Sequence, residues 1–102
     1  MADFLDIAST LDIPLGRVKA FQAGESKVAV AHTNEGFFDL DNSCPHRGGP
    51  LGEGDVIANE VVCPWHLWGF DMKSGLCAGN PDIHVATHEL KIEGNRILVR
   101  PT

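Results

Sequence analysis

The chain has 102 residues, 43% of them hydrophobic and 22% charged, proportions that are typical of one soluble globular domain spanning residues 1–102. Its 14 acidic and 8 basic residues give a net charge of −6, and the basic residues are scattered singly, which argues against binding of nucleic acid. No apolar run is long enough to span a membrane, and the acidic N-terminus does not resemble a secretory signal, so we expect a cytoplasmic protein without structural disulfides.

Alternating apolar and polar residues predict strands rather than helices along most of the chain. The first three expected strands lie in GRVKAFQ around Val18, KVAVAHT around Val28 and GFFDLDN around Phe38. Two shorter ones are expected in EVVC and WGFDM. The last segment, ELKIEGNRILVR, reads as a β-hairpin that turns at Gly94-Asn95. The sequence therefore predicts an all-β fold.

The segment from Asn42 to Asn80 differs in composition from the rest of the chain. It contains seven glycines and three prolines, which is typical of loops. Within it, CPHRGGP starts at Cys44 and CPWHLWGF starts at Cys63, so a cysteine precedes a histidine by a short step in each phrase. The 16 residues between His46 and Cys63 are enough for the chain to leave a site and return to it. We expect two loops, at about 43–55 and 62–72, that face each other at one tip of the β framework.

Three interpretations of Cys44, His46, Cys63 and His66 compete. The first is that they are core cysteines and surface histidines, but two coincidences in the same order make this unattractive. The second is a structural zinc site, although zinc sites of the Cys₂His₂ kind usually group like ligands together, whereas these pairs are mixed. The third is a [2Fe–2S] cluster in which two histidines replace two cysteines on one iron.

The residues around the two phrases resemble the paired signature of Rieske iron–sulfur proteins, Cys-x-His and Cys-x-x-His. That resemblance implies a small antiparallel β-sandwich, the Rieske fold, with one [2Fe–2S] cluster held by the two loops at one tip. It also implies that Cys44 and Cys63 bind one iron and that His46 and His66 bind the other. Beyond these four residues the match extends to Gly48, Pro50, Leu51, Gly54, Pro64, Phe70, Asp71 and Gly75.

Four positions depart from the high-potential branch of this family. Members of that branch join the two loops by a disulfide, but Gly49 and Trp65 occupy the matching positions. They also place serine and tyrosine hydroxyls near the cluster, where this chain has Trp68 and Phe70. With fewer hydrogen bonds to the sulfurs the reduced cluster is less stable, so the resemblance implies the low-potential, ferredoxin-like branch.

We do not expect the mononuclear iron domain of an oxygenase to fit within these 102 residues. The resemblance therefore implies a non-enzymatic electron carrier, a ferredoxin that passes single electrons from a flavoprotein reductase to the terminal oxygenase of an aromatic-ring oxygenase system. We expect a monomer that docks transiently near His46 and His66. Two alternatives remain open, namely the small subunit of an assimilatory nitrite reductase and a zinc-stabilised binding module. A Cys63–His66 nucleophile lacks an identifiable third residue to orient it.

Some other residues call for simpler interpretations. Cys77 is expected to be a buried or half-buried free thiol, and the remaining histidines are expected to lie at the surface or to be hydrogen-bonded. Trp65 and Trp68 are expected to pack over the cluster and against the sheet. A small apolar docking patch, or else a shield for the cluster, is expected from Pro45, Leu51, Leu67 and Pro81.

Overall fold

The computed structural model describes residues 4–44, 48–65 and 68–100. Apart from two 3₁₀ turns, Thr10–Asp12 and Leu51–Glu53, the regular elements in these segments are strands. They contain no helix that is long and apolar enough to cross a lipid bilayer. The strands are β1 Leu5–Ser9, β2 Val18–Ala23, β3 Ser26–Thr33, β4 Gly36–Asp41, β5 Asp55–Ile57, β6 Glu60–Val62, β7 Gly69–Asp71, β8 Leu76–Cys77, β9 Asn80–His84, β10 Glu89–Glu93 and β11 Arg96–Arg100.

The strands form three antiparallel sheets. Their orders are β1-β11-β10, β2-β3-β4 and β5-β6-β7-β8-β9. The predicted hairpin is present, and Glu93 pairs with Arg96 on either side of the expected turn. The predicted all-β, antiparallel fold is thus confirmed.

The sheet β2-β3-β4 is buried on both faces, and β3 shows how. Val28 and Val30 belong to an apolar core shared with Ile97 and Val99 of the terminal hairpin. The intervening Ala29 and Ala31 belong to a second core. Because successive side chains of a strand point to opposite faces, the run VAVA serves two cores at once.

The second core connects this middle sheet to the five-stranded sheet that bears the candidate site. On the middle sheet it contains Leu40 together with the two alanines. On the other side it contains both cysteines of the paired phrases and Phe70, all of which are almost completely excluded from solvent. The middle sheet therefore packs directly against the two cysteine-bearing loops.

The strand β1 was not predicted. Its pairing with β11 shifts register between Asp6 and Ala8, and this irregularity interrupts the alternation that would have marked it as a strand. Leu5 is 36% exposed while Ala8 is buried. The apolar pattern at the N-terminus consequently gives a poor signal for a strand.

Candidate metal centre

The cysteines of the two phrases lie side by side beneath the surface. Two residues separate Cys44 from the end of β4, and Cys63 follows β6 directly. Each is only 1% exposed, and neither forms a disulfide. The thiol of Cys44 lies within hydrogen-bonding reach of the thiol of Cys63. The structure thus brings the two predicted sulfur ligands together from separate loops.

The two loops are closed in the same way at their bases. The backbone N–H of Cys44 donates to the carbonyl oxygen of Gly49 at 2.8 Å, and that of Cys63 donates to the carbonyl oxygen of Trp68 at 2.7 Å. Each cysteine therefore reaches the residue five positions later. The predicted ligands His46 and His66 fall inside these closed segments in sequence, but they lie outside the described residues, as do the expected patch residues Pro45 and Leu67.

Asn42 connects the C-terminal half of the first loop, at Leu51 and Gly52, to the end of the middle sheet. Asn42 is only 9% exposed. Its side-chain oxygen accepts the N–H of Gly52 at 2.7 Å, and its backbone carbonyl oxygen accepts the N–H of Leu51 at 2.8 Å. Gly52 packs so tightly against the backbone of Ala20 that a Cβ at this position would overlap it. A buried asparagine that accepts one N–H on its side chain and another on its backbone holds the loop in place.

A second close approach joins the two loops. A Cβ on Gly54 would overlap the carbonyl oxygen of Val62, the residue directly before Cys63. The backbones of the two loops therefore lie so close together at Gly54 and Val62 that only glycine fits at position 54. The position of Cys63 is consequently set in part by the first loop.

The pKa of the Cys63 thiol depends on its burial and on two neighbouring residues. Burial raises the pKa of the Cys63 thiol, and the neighbouring Cys44 raises it further, while the backbone N–H of Trp65 donates to the sulfur and acts in the opposite direction. A buried pair of thiols without a cation holds its protons, whereas a metal ion stabilises both as thiolates. The two sulfurs, with an N–H already directed at one of them, fit the cysteine side of a [2Fe–2S] cluster.

Within the described residues, no group of three or more His, Cys, Asp or Glu side chains converges on one point. The described part of the site therefore contributes a pair of thiols.

Several neighbouring residues depart from expectation or confirm it. Trp68 is half-buried and packs against the second core, as predicted. Trp65 is 48% exposed, but its ring lies close to Gly49 and Cys63 at the site. Leu51 is completely buried, which excludes it from a docking patch and leaves the alternative expectation that it shields the site. Cys77 is a buried free thiol, as expected. The side chain of Pro81 is not described.

The remaining histidines fall into two classes. The ring Nδ1 of His32 lies 2.8 Å from the carbonyl oxygen of Ile13, and its ring stacks on Phe37, while His84 is exposed. Both fit the prediction. The side chain of His88 is only 4% exposed, so it does not lie at the surface, and its ring Nε2 lies 3.9 Å from a carboxylate oxygen of Asp41.

Comparison with known proteins gives consistent results. A family model described as the Rieske [2Fe–2S] domain matches residues 3–91. The chain is 33% identical over 93 residues to the methanesulfonate monooxygenase ferredoxin subunit of Methylosulfonomonas methylovora, which covers 90% of this chain and 76% of that relative. The ferredoxin of carbazole 1,9a-dioxygenase from Nocardioides aromaticivorans IC177 superposes with a TM-score of 0.90 and 25% identity over 99% of this chain and 100% of that one.

A third likeness concerns the alternative role. A protein described as an NADH-dependent nitrite reductase small subunit from Mycobacterium tuberculosis superposes with a TM-score of 0.91 over 100% of this chain and 97% of that one, at 19% identity. At this level of identity, the likeness concerns the fold alone.

Proposed function

Because the chain belongs to the Rieske [2Fe–2S] domain family, we propose that it is a ferredoxin that carries single electrons from a flavoprotein reductase to a terminal oxygenase. The relative with 33% identity is the ferredoxin subunit of a monooxygenase, and the structural neighbour with 25% identity is the ferredoxin of carbazole 1,9a-dioxygenase. These relatives serve oxygenases with different substrates. They support the role of electron carrier, with an aromatic-ring oxygenase as the partner we favour.

The ligands that we assign to the cluster are Cys44, Cys63, His46 and His66. The assignment depends chiefly on the two buried thiols, which lie next to each other at the bases of two loops closed by matching hydrogen bonds. In each loop the histidine is the only imidazole between the cysteine and the residue that closes the loop. When bound, a Rieske cluster accepts and releases one electron at a time.

The described residues contribute to electron transfer by fixing the site and excluding water from it. Leu51 and Phe70 are completely buried beside the cysteines, so the sulfur side of the site is dry. The N–H of Trp65 is directed at the sulfur of Cys63 and stabilises negative charge there. Since Asn42 and the glycine contacts hold the loops rigidly, little reorganisation is expected when the charge of the site changes.

The ligand assignment can be tested by single substitutions with matched controls. Cys44→Ser, Cys63→Ser, His46→Ala and His66→Ala should each lower the bound iron and acid-labile sulfide of protein purified without oxygen. The controls are Cys77→Ser, which removes the other buried thiol, and His84→Ala, which removes an exposed imidazole. Full iron content in any of the four variants, or its loss in both controls, would contradict the assignment.

The nature of the centre separates this proposal from a zinc-stabilised module. The intact protein should be coloured and should give a rhombic EPR signal after reduction with dithionite. In addition, His46→Cys should lower the reduction potential or abolish the cluster, because a thiolate adds negative charge that an imidazole does not. A colourless protein with stoichiometric zinc would eliminate the ferredoxin role.

The partner can be tested by reconstitution. The reduced protein should transfer electrons to a terminal oxygenase, and a flavoprotein reductase should reduce it. Faster transfer to the large subunit of a nitrite reductase would favour the alternative role instead. We further propose that the protein acts as a cytoplasmic monomer and that partners dock transiently near His46 and His66.

A further inference from the structure

The indole of Trp65 lies at the boundary between the candidate site and solvent. Its side chain is 48% exposed, yet the neighbouring Cys63 is only 1% exposed although it starts a surface loop. The side chains of Cys63 and Trp65 both lie close to Gly49 on the opposite loop, on the side where a Cβ of that residue would point. An ideal Cβ there would lie 2.7 Å from the Sγ of Cys63 and 3.1 Å from the Cγ and Cδ2 of Trp65.

Gly49 is required at this point by space and not by backbone conformation. Its neighbour Gly48 has a φ of +74°, which side chains rarely adopt, but Gly49 has no such positive φ. A left-handed backbone therefore does not explain glycine at position 49; a side chain is excluded because its Cβ would meet the sulfur and the indole. Because Gly49 has no side chain, there is space beside it for the ring of Trp65, and we call this space the seat.

The seat is also fixed relative to the first cysteine. The carbonyl oxygen of Gly49 accepts the N–H of Cys44 at 2.8 Å, and the N–H of Gly48 donates to the carbonyl oxygen of Cys44 at 2.7 Å. Trp65 is tied to the second cysteine in turn, because its backbone N–H donates to the sulfur of Cys63. The indole thus spans from one cysteine-bearing loop to the other.

We propose that Trp65 is a lid that seats on Gly49 and shields the sulfur of Cys63 from water, and that it acts as a positioning residue for the electron-carrying centre. This inference rests on the proposed function, since it takes Cys63 as a ligand of the cluster. The inner edge of the ring excludes solvent, and the outer face remains in water. The lid joins the two loops by packing alone and without a covalent link.

The physical consequence concerns the stability of the reduced state. Reduction adds negative charge to the centre, and water near the sulfur stabilises that charge better than an indole does. Removing the lid should therefore raise the reduction potential. It should also give oxygen and water access to the sulfur, so the cluster should be lost faster.

The test compares Trp65→Ala and Trp65→Phe with the wild-type holoprotein. For Trp65→Ala we expect a higher reduction potential and about a tenfold shorter half-life of the visible absorption in air. Trp65→Phe keeps a flat ring over Gly49 and should restore most of both properties. The control Leu76→Ala removes an exposed apolar side chain of the same sheet, 44% exposed, and should change neither property.

The possible results distinguish the lid from the function on which it depends. A wild-type protein without a cluster would refute the proposed function. A wild-type protein with a cluster, together with a Trp65→Ala variant of unchanged potential and lifetime, would refute the lid alone. The lid would also be refuted if Trp65→Phe behaved like Trp65→Ala, because a surface residue whose loss merely loosens the loop would not be rescued by a ring.

Discussion

Asp39 provides a sharp test of the packing between the sheets, because it is a carboxyl group buried without full compensation. It is 4% exposed and lies on β4. One oxygen accepts the N–H of His88 at a long 3.4 Å, and the other has no hydrogen-bond partner among the described residues. Burial, only partly offset by that hydrogen bond, raises the pKa of Asp39 from 3.8 to about 7. We predict that Asp39→Asn stabilises the protein in alkaline conditions.

The sign and the size follow from the pKa values. Since the folded pKa is higher than the unfolded one, the folded protein binds this proton more tightly, and the resulting stability is complete below about pH 4 and lost as the pH rises through 7. An interval of about three pH units corresponds to about 4 kcal/mol in total, of which about 3 kcal/mol is lost between pH 5 and pH 8. Asparagine, which is always neutral, escapes this loss.

Other groups around Asp39 titrate or carry charge and must be considered. The ring Nε2 of His88 lies 3.9 Å from a carboxylate oxygen of Asp41, and Lys73 lines the same cavity of about 310 Å³. Burial lowers the pKa of His88, so this histidine destabilises the folded protein in acid, the opposite trend. Because it does so in both proteins, the difference between variant and wild type isolates the contribution of Asp39.

The assay is thermal unfolding of the holoprotein, without oxygen and at one scan rate, at pH 5 and pH 8. The advantage of Asp39→Asn over wild type should be larger at pH 8 than at pH 5 by about 3 kcal/mol, which for a domain of this size corresponds to a difference in melting temperature of about 12–24 °C. The exposed Asp55 supplies the control Asp55→Asn, which should show no such difference. An equal effect of Asp39→Asn at both pH values would refute the reasoning.

Three glycine or alanine substitutions test the backbone of the site. Ala58 is the only described non-glycine residue with a positive φ, +55°, so Ala58→Gly should stabilise the turn between β5 and β6 by about 1 kcal/mol in thermal unfolding; a loss of stability would contradict this. Gly54→Ala forces the carbonyl of Val62 away and should cost about 3 kcal/mol or more, with lower iron content. Gly49→Ala should reduce iron content by crowding the site, whereas the control Gly79→Ala, with no atom within 4 Å of its Cβ, should behave like wild type. Wild-type iron content in both site variants would show that the loops adapt easily.

The sequence predicts well those elements whose residues alternate regularly. The strands β2, β3 and β4 and the terminal hairpin follow from the pattern because each has a full ladder of paired residues. The strand β1 was missed because its register shifts, and β8 was missed because two residues are too few to show a period. The strands β5 and β9 were also missed, and β9 contains Pro81, a residue that weakens the signal for a strand. Short strands of this kind depend on their neighbours for stability.

The candidate site shows the same division between local and long-range information. The spacing of Cys44 and Cys63 from their histidines is local, and it identified both cysteines that the structure brings together. The clamp by Asn42 depends on a loop ten residues away, and the burial of Leu51 depends on packing against the middle sheet. An asparagine or a leucine in a glycine-rich segment carries no mark of such contacts. Interactions of this kind become visible only in three dimensions.

The central claim is that two cysteines and two histidines from the two loops hold one [2Fe–2S] cluster. The most direct measurement is pulsed EPR on the dithionite-reduced protein, prepared with ordinary and with ¹⁵N-labelled histidine. We predict couplings from two directly coordinated histidine nitrogens, both of which change on labelling. A reduced iron–sulfur signal without histidine couplings, or the absence of any iron–sulfur signal, would contradict the account.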